Sequence, residues 1–288
     1  MEPLYKPLVA NEEVRAIIDL ALTEDRVWND VTSHLVIPED LEATATLIAK
    51  AHGVLAGIDV FAAIFRRVDT LLKIEPRLCD GARLKPGDTA AVVSGHARSI
   101  LMAERTALNF LCHLSGVATE TARYVERVAG LPVSIVDTRK TTPGQRLLEK
   151  HAVLCGGGQN HRLHLGDGIL IKDNHIAALT RSGASLAKIV KKAKDENKTG
   201  LKIEVEVSSL AQAVEAAEAG ADMLLLDNMS VADMKATVKK LKGRARFEAS
   251  GGITLDNVRA VAQTGVDIIS IGALTHSPKA LDFSLEMA

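Results

Sequence analysis

AQAVEAAEAGADMLLLD, residues 211–227, predicts a helix, a glycine turn and a short apolar strand in succession, and DNVRAVAQTGVDIISIG, residues 256–272, repeats that order. Further short β-rich runs alternate with helical stretches in the same part of the chain: SIVD at 134–137, ILIK at 169–172, KIEVEV at 202–207 and RFEAS at 246–250. Repeated strand-then-helix units favour a parallel sheet, and right-handed crossovers allow such a sheet to close into a barrel. We therefore expect a parallel α/β barrel here.

The front of the chain has a different texture. Asn11 followed by two glutamates predicts a capped helix that ends near Asp25, and residues 58–68 predict a second helix. Residues 43–51 alternate between apolar and polar, and residues 73–93 predict short strands separated by Gly and Pro turns. A long helical pattern follows from about residue 98 to 128, with Gly116 as a possible joint, and we place the domain boundary there.

Composition excludes several classes of protein. The chain has 288 residues, 47% of them hydrophobic, and 35 Lys+Arg against 36 Asp+Glu give a net charge of -1. No global positive field exists to bind nucleic acid or an anionic membrane surface, and no run approaches the roughly 18 apolar residues of a membrane span. With no signal-peptide pattern at the start, we expect a cytoplasmic protein. The three cysteines form no CxxC pair, so neither a disulfide framework nor a zinc site is indicated.

Polar residues gather at the carboxyl ends of the predicted strands, which meet at one mouth in a parallel barrel. A single charge there would indicate only a solvated loop, but six strand ends share the feature. Ser250, Gly251 and Gly252, before a helix start predicted at Ile253, and later Gly272 with Ala273, would present backbone N–H groups to a phosphate. Taken alone, these glycines would indicate tight turns. The chain contains neither GxGxxG nor GxxxxGK[ST], so dinucleotide and Walker-type sites are unsupported.

Four cationic candidates, Arg139, His161, Arg162 and Lys172, lie in a locally basic stretch and could bind a small ligand that carries two carboxylates. The alternative is a solvated charged loop. Two acids on adjacent predicted strands, Glu206 and Asp227, could bind Mg²⁺ beside a diphosphate or stabilise positive charge on a sugar ring. Glu204 shares a strand face with Glu206, and we expect it to be a rim or ion-pair residue.

Several segments together identify a resemblance that covers nearly the whole chain: TEDRVWNDVTS (23–33), ERTALNFLCHLSGVAT (104–119), DTRKTTPGQRLLEKHAVLCGGGQNHR (137–162), LIKDNH (170–175), IEVEV (203–207), LLLDN (224–228), EASGG (248–252) and SIGALTHS (270–277). They resemble the quinolinate phosphoribosyltransferases. The resemblance implies conversion of quinolinate and phosphoribosyl diphosphate, with Mg²⁺, to nicotinate mononucleotide, diphosphate and CO₂. It also implies an N-terminal α/β sandwich of residues 1–116 to which a tail of 276–288 returns, an incomplete α/β barrel of residues 117–275, and at least a homodimer.

The resemblance also implies roles for individual residues. Arg105 resembles an arginine that reaches a neighbouring subunit's quinolinate site, and Lys140 resembles a lysine at the reaction centre. It implies that quinolinate is bound by Thr138, Arg139, His161, Arg162 and Lys172. It implies that Glu206 and Asp227 lie near the ribose and the metal, and that the 5′-phosphate is bound by Ser250, Gly251, Gly252, Gly272 and Ala273. Asn29 and His164 each stand where the family usually has glycine. A positive φ would suit Asn29 but would strain the backbone at His164, whose imidazole could narrow or recharge the site.

Three other functions compete with this one. A phosphoribosyltransferase for nicotinate would need only one carboxylate-binding cluster. A Schiff-base lyase could use a strand-end lysine, Lys140 or Lys172, as its nucleophile. A catalytically silent metabolite sensor would have no need of Glu206 and Asp227.

Overall fold

The structure, a computed structural model, describes residues 8–181 and 183–287. The chain divides into two compact units. Of the described residues, the first contains 8–122, 140–157 and 273–287. The second contains residues 123–139 and 158–272.

The helices and strands are numbered in chain order. The helices are α1 Glu12–Glu24, α2 Val31–Val36, α3 Ile58–Val68, α4 Ala97–Arg127, α5 Arg146–Cys155, α6 Asp173–Thr180, α7 Leu186–Glu196, α8 Leu210–Glu218, α9 Val231–Leu241, α10 Val258–Ala262 and α11 Ala273–His276. The strands are β1 Glu42–Ala49, β2 Gly53–Val54, β3 Lys73–Pro76, β4 Arg83–Leu84, β5 Thr89–His96, β6 Ser134–Val136, β7 Ile169–Ile171, β8 Ile203–Val207, β9 Met223–Asp227, β10 Arg246–Ser250, β11 Ile268–Ser270 and β12 Phe283–Met287.

The first unit is built on a four-stranded antiparallel sheet with the strand order β12-β1-β5-β3. Its outer strand β12 comes from the end of the chain and pairs with β1 from Ala45↔Met287 to Ala49↔Phe283. Helix α3 buries Phe61 and Phe65 fully, with ring centroids 4.8 Å apart. The predicted helices at 12–24 and 58–68 are confirmed, and the side chain of Asn11 caps α1 by accepting a hydrogen bond from the Glu13 N–H at 2.8 Å.

Helix α4 runs without a break from Ala97 to Arg127, so the predicted joint at Gly116 is wrong. A Cβ at Gly116 would stand 2.5 Å from the Lys279 carbonyl oxygen and 3.0 Å from the Ala280 Cα. Both neighbours are backbone and cannot yield as a flexible side chain would. Glycine is therefore needed at this position for close backbone packing.

The second unit is built on a six-stranded sheet with the order β6-β11-β10-β9-β8-β7, in which every pairing is parallel. The strand runs predicted from the sequence are confirmed, and so is the fold class of a mixed α/β chain with a parallel C-terminal sheet. Strands β6 and β7 are the two edge strands of this sheet. Because all six strands are parallel, their carboxyl ends lie along the same edge of the sheet. Among the described helices, none has the length and apolar character to cross a membrane.

Candidate active site

Most of the residues singled out in the sequence lie at this carboxyl edge. Thr138 and Arg139 follow β6, Lys172 follows β7, and Glu206 and Asp227 lie near the ends of β8 and β9. Ser250 is the last residue of β10, Gly251 and Gly252 follow it, and Gly272 comes shortly after β11. Three candidates, Arg105, Lys140 and Ala273, belong to segments of the first unit. Arg105 and Lys140 are exposed.

Two guanidinium groups at this edge have a buried nitrogen without an acceptor. The Nε atoms of Arg139 and Arg162 are both buried, and no described residue accepts a hydrogen bond from either. Arg162 is also held by its Nη1, which donates to the Gly168 carbonyl at 2.9 Å. Burial, and then the charge of Arg139, lowers the pKa of Arg162, so the two cations are near enough to repel each other. Two buried N–H donors and two like charges form a receptor suited to a ligand with anionic oxygens.

His161 lies between two buried carboxylates. Its Nε2 is 3.3 Å from Glu204 Oε2 and 3.2 Å from Glu248 Oε2, and those acids are 6% and 1% exposed. The backbone N–H of His161 donates to Asp137 Oδ1 at 2.9 Å, and this hydrogen bond holds His161 next to the end of β6. Glu204 is therefore an ion-pair residue and not a rim residue.

The charge of His161 follows from competing contacts on its ring. Burial by itself would lower the pKa of His161, but hydrogen bonding and charge from Glu204 and Glu248 raise it to about 9. The backbone N–H of Arg162 donates to His161 Nδ1 at 2.8 Å, and this hydrogen bond favours the neutral ring because only an unprotonated Nδ1 can accept it. One neutral hydrogen bond contributes about 1 kcal/mol, whereas two buried carboxylates at ion-pair distance contribute more. We therefore assign the imidazolium form at neutral pH.

Glu248 is the site residue that sequence reasoning missed. It lies in the middle of β10 and is almost fully buried. A buried acid on an interior strand is rare unless a cation pairs with it. The glutamate in RFEAS was therefore the signal that could have identified it. Burial, and then repulsion by Glu248, raises the pKa of Glu204, although His161 acts to lower it.

Glu206 and Asp227 form a second acidic pair, on the adjacent strands β8 and β9. Both side chains are half-buried. Burial raises the pKa of Glu206, and the negative charges of Asp227 and Asp173 raise it further, while Lys172 lowers it. A cation held here would relieve that repulsion. Two half-buried carboxylates are a hard-oxygen donor set, which fits Mg²⁺.

The loop after β10 has the backbone of an anion cradle. Gly251 and Gly252 have φ of +84° and +62°, and a Cβ on Gly252 would meet nothing within 4 Å. Asn257 braces the loop, because its Nδ2 donates to the Gly252 carbonyl and its Oδ1 accepts from the Thr254 N–H, both at 2.9 Å. The predicted helix start at Ile253 is wrong, since α10 begins at Val258. Turn amides, and not a helix N-terminus, follow the two glycines.

Neither departure from the family's glycines distorts the backbone. Among the described non-glycine residues, positive φ occurs only at Arg26 and Asn228, so neither Asn29 nor His164 has the positive φ that a glycine would permit. His164 is largely exposed, and its Nε2 lies 2.8 Å from Asp167 Oδ1. Oδ2 of the same aspartate accepts from the N–H groups of Leu163 and His164. The imidazole is thus engaged by a local acid.

The chain is similar to known proteins over nearly its whole length. The family model for the quinolinate phosphoribosyl transferase C-terminal domain matches residues 117–286, and the model for the N-terminal domain matches residues 30–115. A Mycobacterium leprae protein named nicotinate-nucleotide pyrophosphorylase (carboxylating) is 41% identical over 96% of this chain and 98% of its own length. A Nicotiana tabacum protein named quinolinate phosphoribosyltransferase (decarboxylating) 2a, mitochondrial, is 41% identical over 96% of this chain and 82% of its own length. The solved nicotinate-nucleotide pyrophosphorylase from Francisella tularensis superposes with a TM-score of 0.89 at 38% identity, covering 96% of each chain.

Proposed function

The chain belongs to the quinolinate phosphoribosyltransferase family, and from that premise we propose that it transfers the phosphoribosyl group of phosphoribosyl diphosphate to quinolinate with decarboxylation. The products are nicotinate mononucleotide, diphosphate and CO₂, and the reaction is a step of NAD biosynthesis. The chain is accordingly a decarboxylating phosphoribosyltransferase.

One observation carries the substrate assignment: the buried Nε–H donors of Arg139 and Arg162 have no acceptor among the described residues. Quinolinate carries carboxylates at adjacent ring carbons, so its oxygens can satisfy both donors at once. His161, as an imidazolium, and Lys172 add positive charge around the same ligand. A monocarboxylate such as nicotinate would leave buried donors unsatisfied, which costs about 1–3 kcal/mol for each group.

The chemistry has two steps. The pyridine nitrogen of quinolinate forms a bond to the anomeric carbon of the ribose. The bond between that carbon and the diphosphate oxygen breaks, and the electron pair of the broken bond leaves with the diphosphate. Glu206 and Asp227 would stabilise the positive charge that develops on the ribose, and Lys140 would lie at the reaction centre. The bond from ring carbon 2 to its carboxylate then breaks, releasing CO₂, and a proton takes its place. The electron pair left at carbon 2 is stabilised by the adjacent positively charged nitrogen.

Magnesium and phosphate complete the proposed site. Glu206 and Asp227 would hold Mg²⁺, whose chemistry is to neutralise charge on the diphosphate. The loop amides around Ser250, Gly251 and Gly252, and the turn at Gly272 and Ala273, would bind the 5′-phosphate. The open space beside Gly252 supports close approach of an anion to that backbone.

The working form proposed here is a homodimer, or a higher homo-oligomer, in which Arg105 completes the partner's quinolinate site. Several large apolar side chains of the first unit are exposed near α2: Trp28, Val31, Leu35 and Val36. Such patches on a protein surface mark interfaces. A cytoplasmic location is also proposed. Its support is that Cys79, Cys112 and Cys155 are all free, as is typical of a reducing compartment.

The reaction is tested by incubating the purified protein with Mg²⁺, phosphoribosyl diphosphate and quinolinate labelled in the 2-carboxylate. We expect nicotinate mononucleotide and labelled CO₂ in equal amounts, with no product when phosphoribosyl diphosphate is omitted. Trapping with borohydride and a carbonyl substrate should label neither Lys140 nor Lys172. Failure to form nicotinate mononucleotide, or a borohydride adduct on either lysine, would overturn the assignment.

A further inference from the structure

Three metal-ligating side chains converge in the first unit. His151 Nε2 lies 2.8 Å from Asp80 Oδ2 and 3.4 Å from Cys155 Sγ. All three donor atoms lie within 4.8 Å of one another. His151 and Cys155 are four residues apart on α5 and therefore lie on one face of that helix, and Asp80 comes from the turn between β3 and β4. We propose that Asp80, His151 and Cys155 form a binding site for a transition-metal dication of the Zn²⁺ class.

The geometry is that of a shared cation and not of a nucleophilic triad. In a Cys-His-Asp relay the two ring nitrogens divide the work, one facing the nucleophile and the other the acid. Here the same nitrogen, Nε2, faces both Asp80 and Cys155. A single metal ion in place of the Nε2 proton could bind Nε2, Asp80 Oδ2 and Cys155 Sγ together.

The surroundings hold the three ligands in place. Oδ1 of Asp80 accepts a hydrogen bond from the Ile58 N–H at 3.0 Å, which orients the carboxylate and leaves Oδ2 for the ion. Metal-binding carboxylates and histidines are commonly fixed by such outer contacts. Cys155 is the last residue of α5, and the carbonyl end of a helix favours positive charge.

The donor set selects the class of ion. One imidazole nitrogen, one sulfur and one carboxylate oxygen suit Zn²⁺ or Co²⁺ better than Mg²⁺ or Ca²⁺, which prefer oxygen alone. The side chains of His151 and Asp80 are 33% and 19% exposed, so water can enter as a fourth ligand. The spacing of the cysteines did not indicate a zinc site, because Asp80 lies 71 residues before His151 along the chain and only one of the three ligands is a cysteine.

The test is a titration of the chelator-treated, full-length protein with Co²⁺, followed by absorption spectroscopy. We expect one Co²⁺ per chain with a thiolate-to-cobalt charge-transfer band and tetrahedral d–d bands, and displacement of both by Zn²⁺. The band reports a sulfur ligand, so cobalt bound at Glu206 and Asp227, or between His161 and its two acids, cannot produce it. Cys155→Ser and His151→Gln should each lose the band.

Matched variants keep the result interpretable. Cys79→Ser, next to Asp80 in the chain, and Cys112→Ser should both retain the band. Formation of nicotinate mononucleotide by Cys155→Ser and His151→Gln shows that each variant is folded; if one fails to fold, Asp80→Asn takes its place. The proposal is overturned if the native protein gives no thiolate band, or if the band survives Cys155→Ser or His151→Gln in a folded variant. Loss of the band in Cys79→Ser alone would also overturn it, by assigning the sulfur to another site.

Discussion

At the scale of single residues, the proposed mechanism needs the charge of Glu206 and Asp227 most in the transition state. Both are half-buried, and the two carboxylates repel each other, so their surroundings favour a neighbouring positive charge. We expect Glu206→Gln and Asp227→Asn each to lower kcat on the order of a hundredfold while changing the KM for quinolinate little. Steady-state kinetics measure both constants.

The control for these variants is Glu218→Gln. Glu218 is an exposed acid 3.9 Å from Arg244, and a surface pair of this kind contributes little. Its kinetics should match those of the native protein. Unchanged kcat in both Glu206→Gln and Asp227→Asn would contradict the role assigned to the pair.

His161 makes stability depend on pH in a defined window. Its pKa is raised from 6.5 to about 9 in the folded protein, so the imidazolium stabilises the fold fully below pH 6.5. That contribution, up to roughly 3 kcal/mol, is lost as the pH rises through 9. The free energy of unfolding should therefore fall between these pH values, as measured by denaturant titration at each pH.

His161→Gln should flatten this part of the pH profile. His52→Gln, which replaces an exposed histidine of the first unit, should leave the profile unchanged. An equal slope in the native protein and in His161→Gln would show that the buried acids do not hold a proton on this ring.

At the scale of elements, the loop after β10 combines positive φ with close packing. A Cβ on Gly251 would collide with the side chain of Asn228, and the φ of +84° is itself unfavourable for alanine. Gly243 has nearly the same φ, +80°, but a Cβ there would meet nothing within 4 Å. Alanine at Gly243 therefore introduces backbone strain alone, whereas alanine at Gly251 introduces the same strain together with a collision that can displace the loop.

We expect Gly251→Ala to raise the KM for phosphoribosyl diphosphate by about tenfold or more, because a shifted loop misplaces its amides. Gly243→Ala should cost about 1–2 kcal/mol of stability through its backbone and leave that KM unchanged. Steady-state kinetics and thermal unfolding of both variants provide the comparison. A KM in Gly251→Ala equal to that in Gly243→Ala would exclude this loop from phosphate binding.

The strands of the second unit were predictable from the sequence because each is a short run rich in β-branched or other apolar residues and lies between helical stretches, as MLLLD does at β9. The sequence predicted α1 and α3 because caps and helical spacing are local signals. It failed at Gly116, where the cause is the backbone of residues 279–280, and at Glu248, whose partner His161 is distant in sequence. Asp80, His151 and Cys155 were missed for the same reason, since only the fold brings them together.

At the scale of the whole molecule, the proposed dimer predicts complementation between two inactive variants. Arg105→Ala and Glu206→Ala should each be inactive, for reasons that lie in different subunits of the same site. When the two are unfolded and refolded together, half of the dimers are hybrids and each hybrid has one intact site. Roughly a quarter of all sites should then regain activity. Hybrids that form, as shown by mass spectrometry of tagged chains, but remain inactive would contradict the shared site.

The buried Nε–H groups of Arg139 and Arg162 are central to the proposed function, because they would select a substrate with two carboxylates. The most direct measurement is kcat/KM for quinolinate and for nicotinate, in the native protein and in Arg162→Ala. The native protein should prefer quinolinate by roughly 10⁴-fold, because nicotinate leaves buried donors unpaired, and Arg162→Ala should narrow this ratio of kcat/KM values. Equal use of the two substrates by the native protein, or an unchanged ratio in Arg162→Ala, would contradict this prediction.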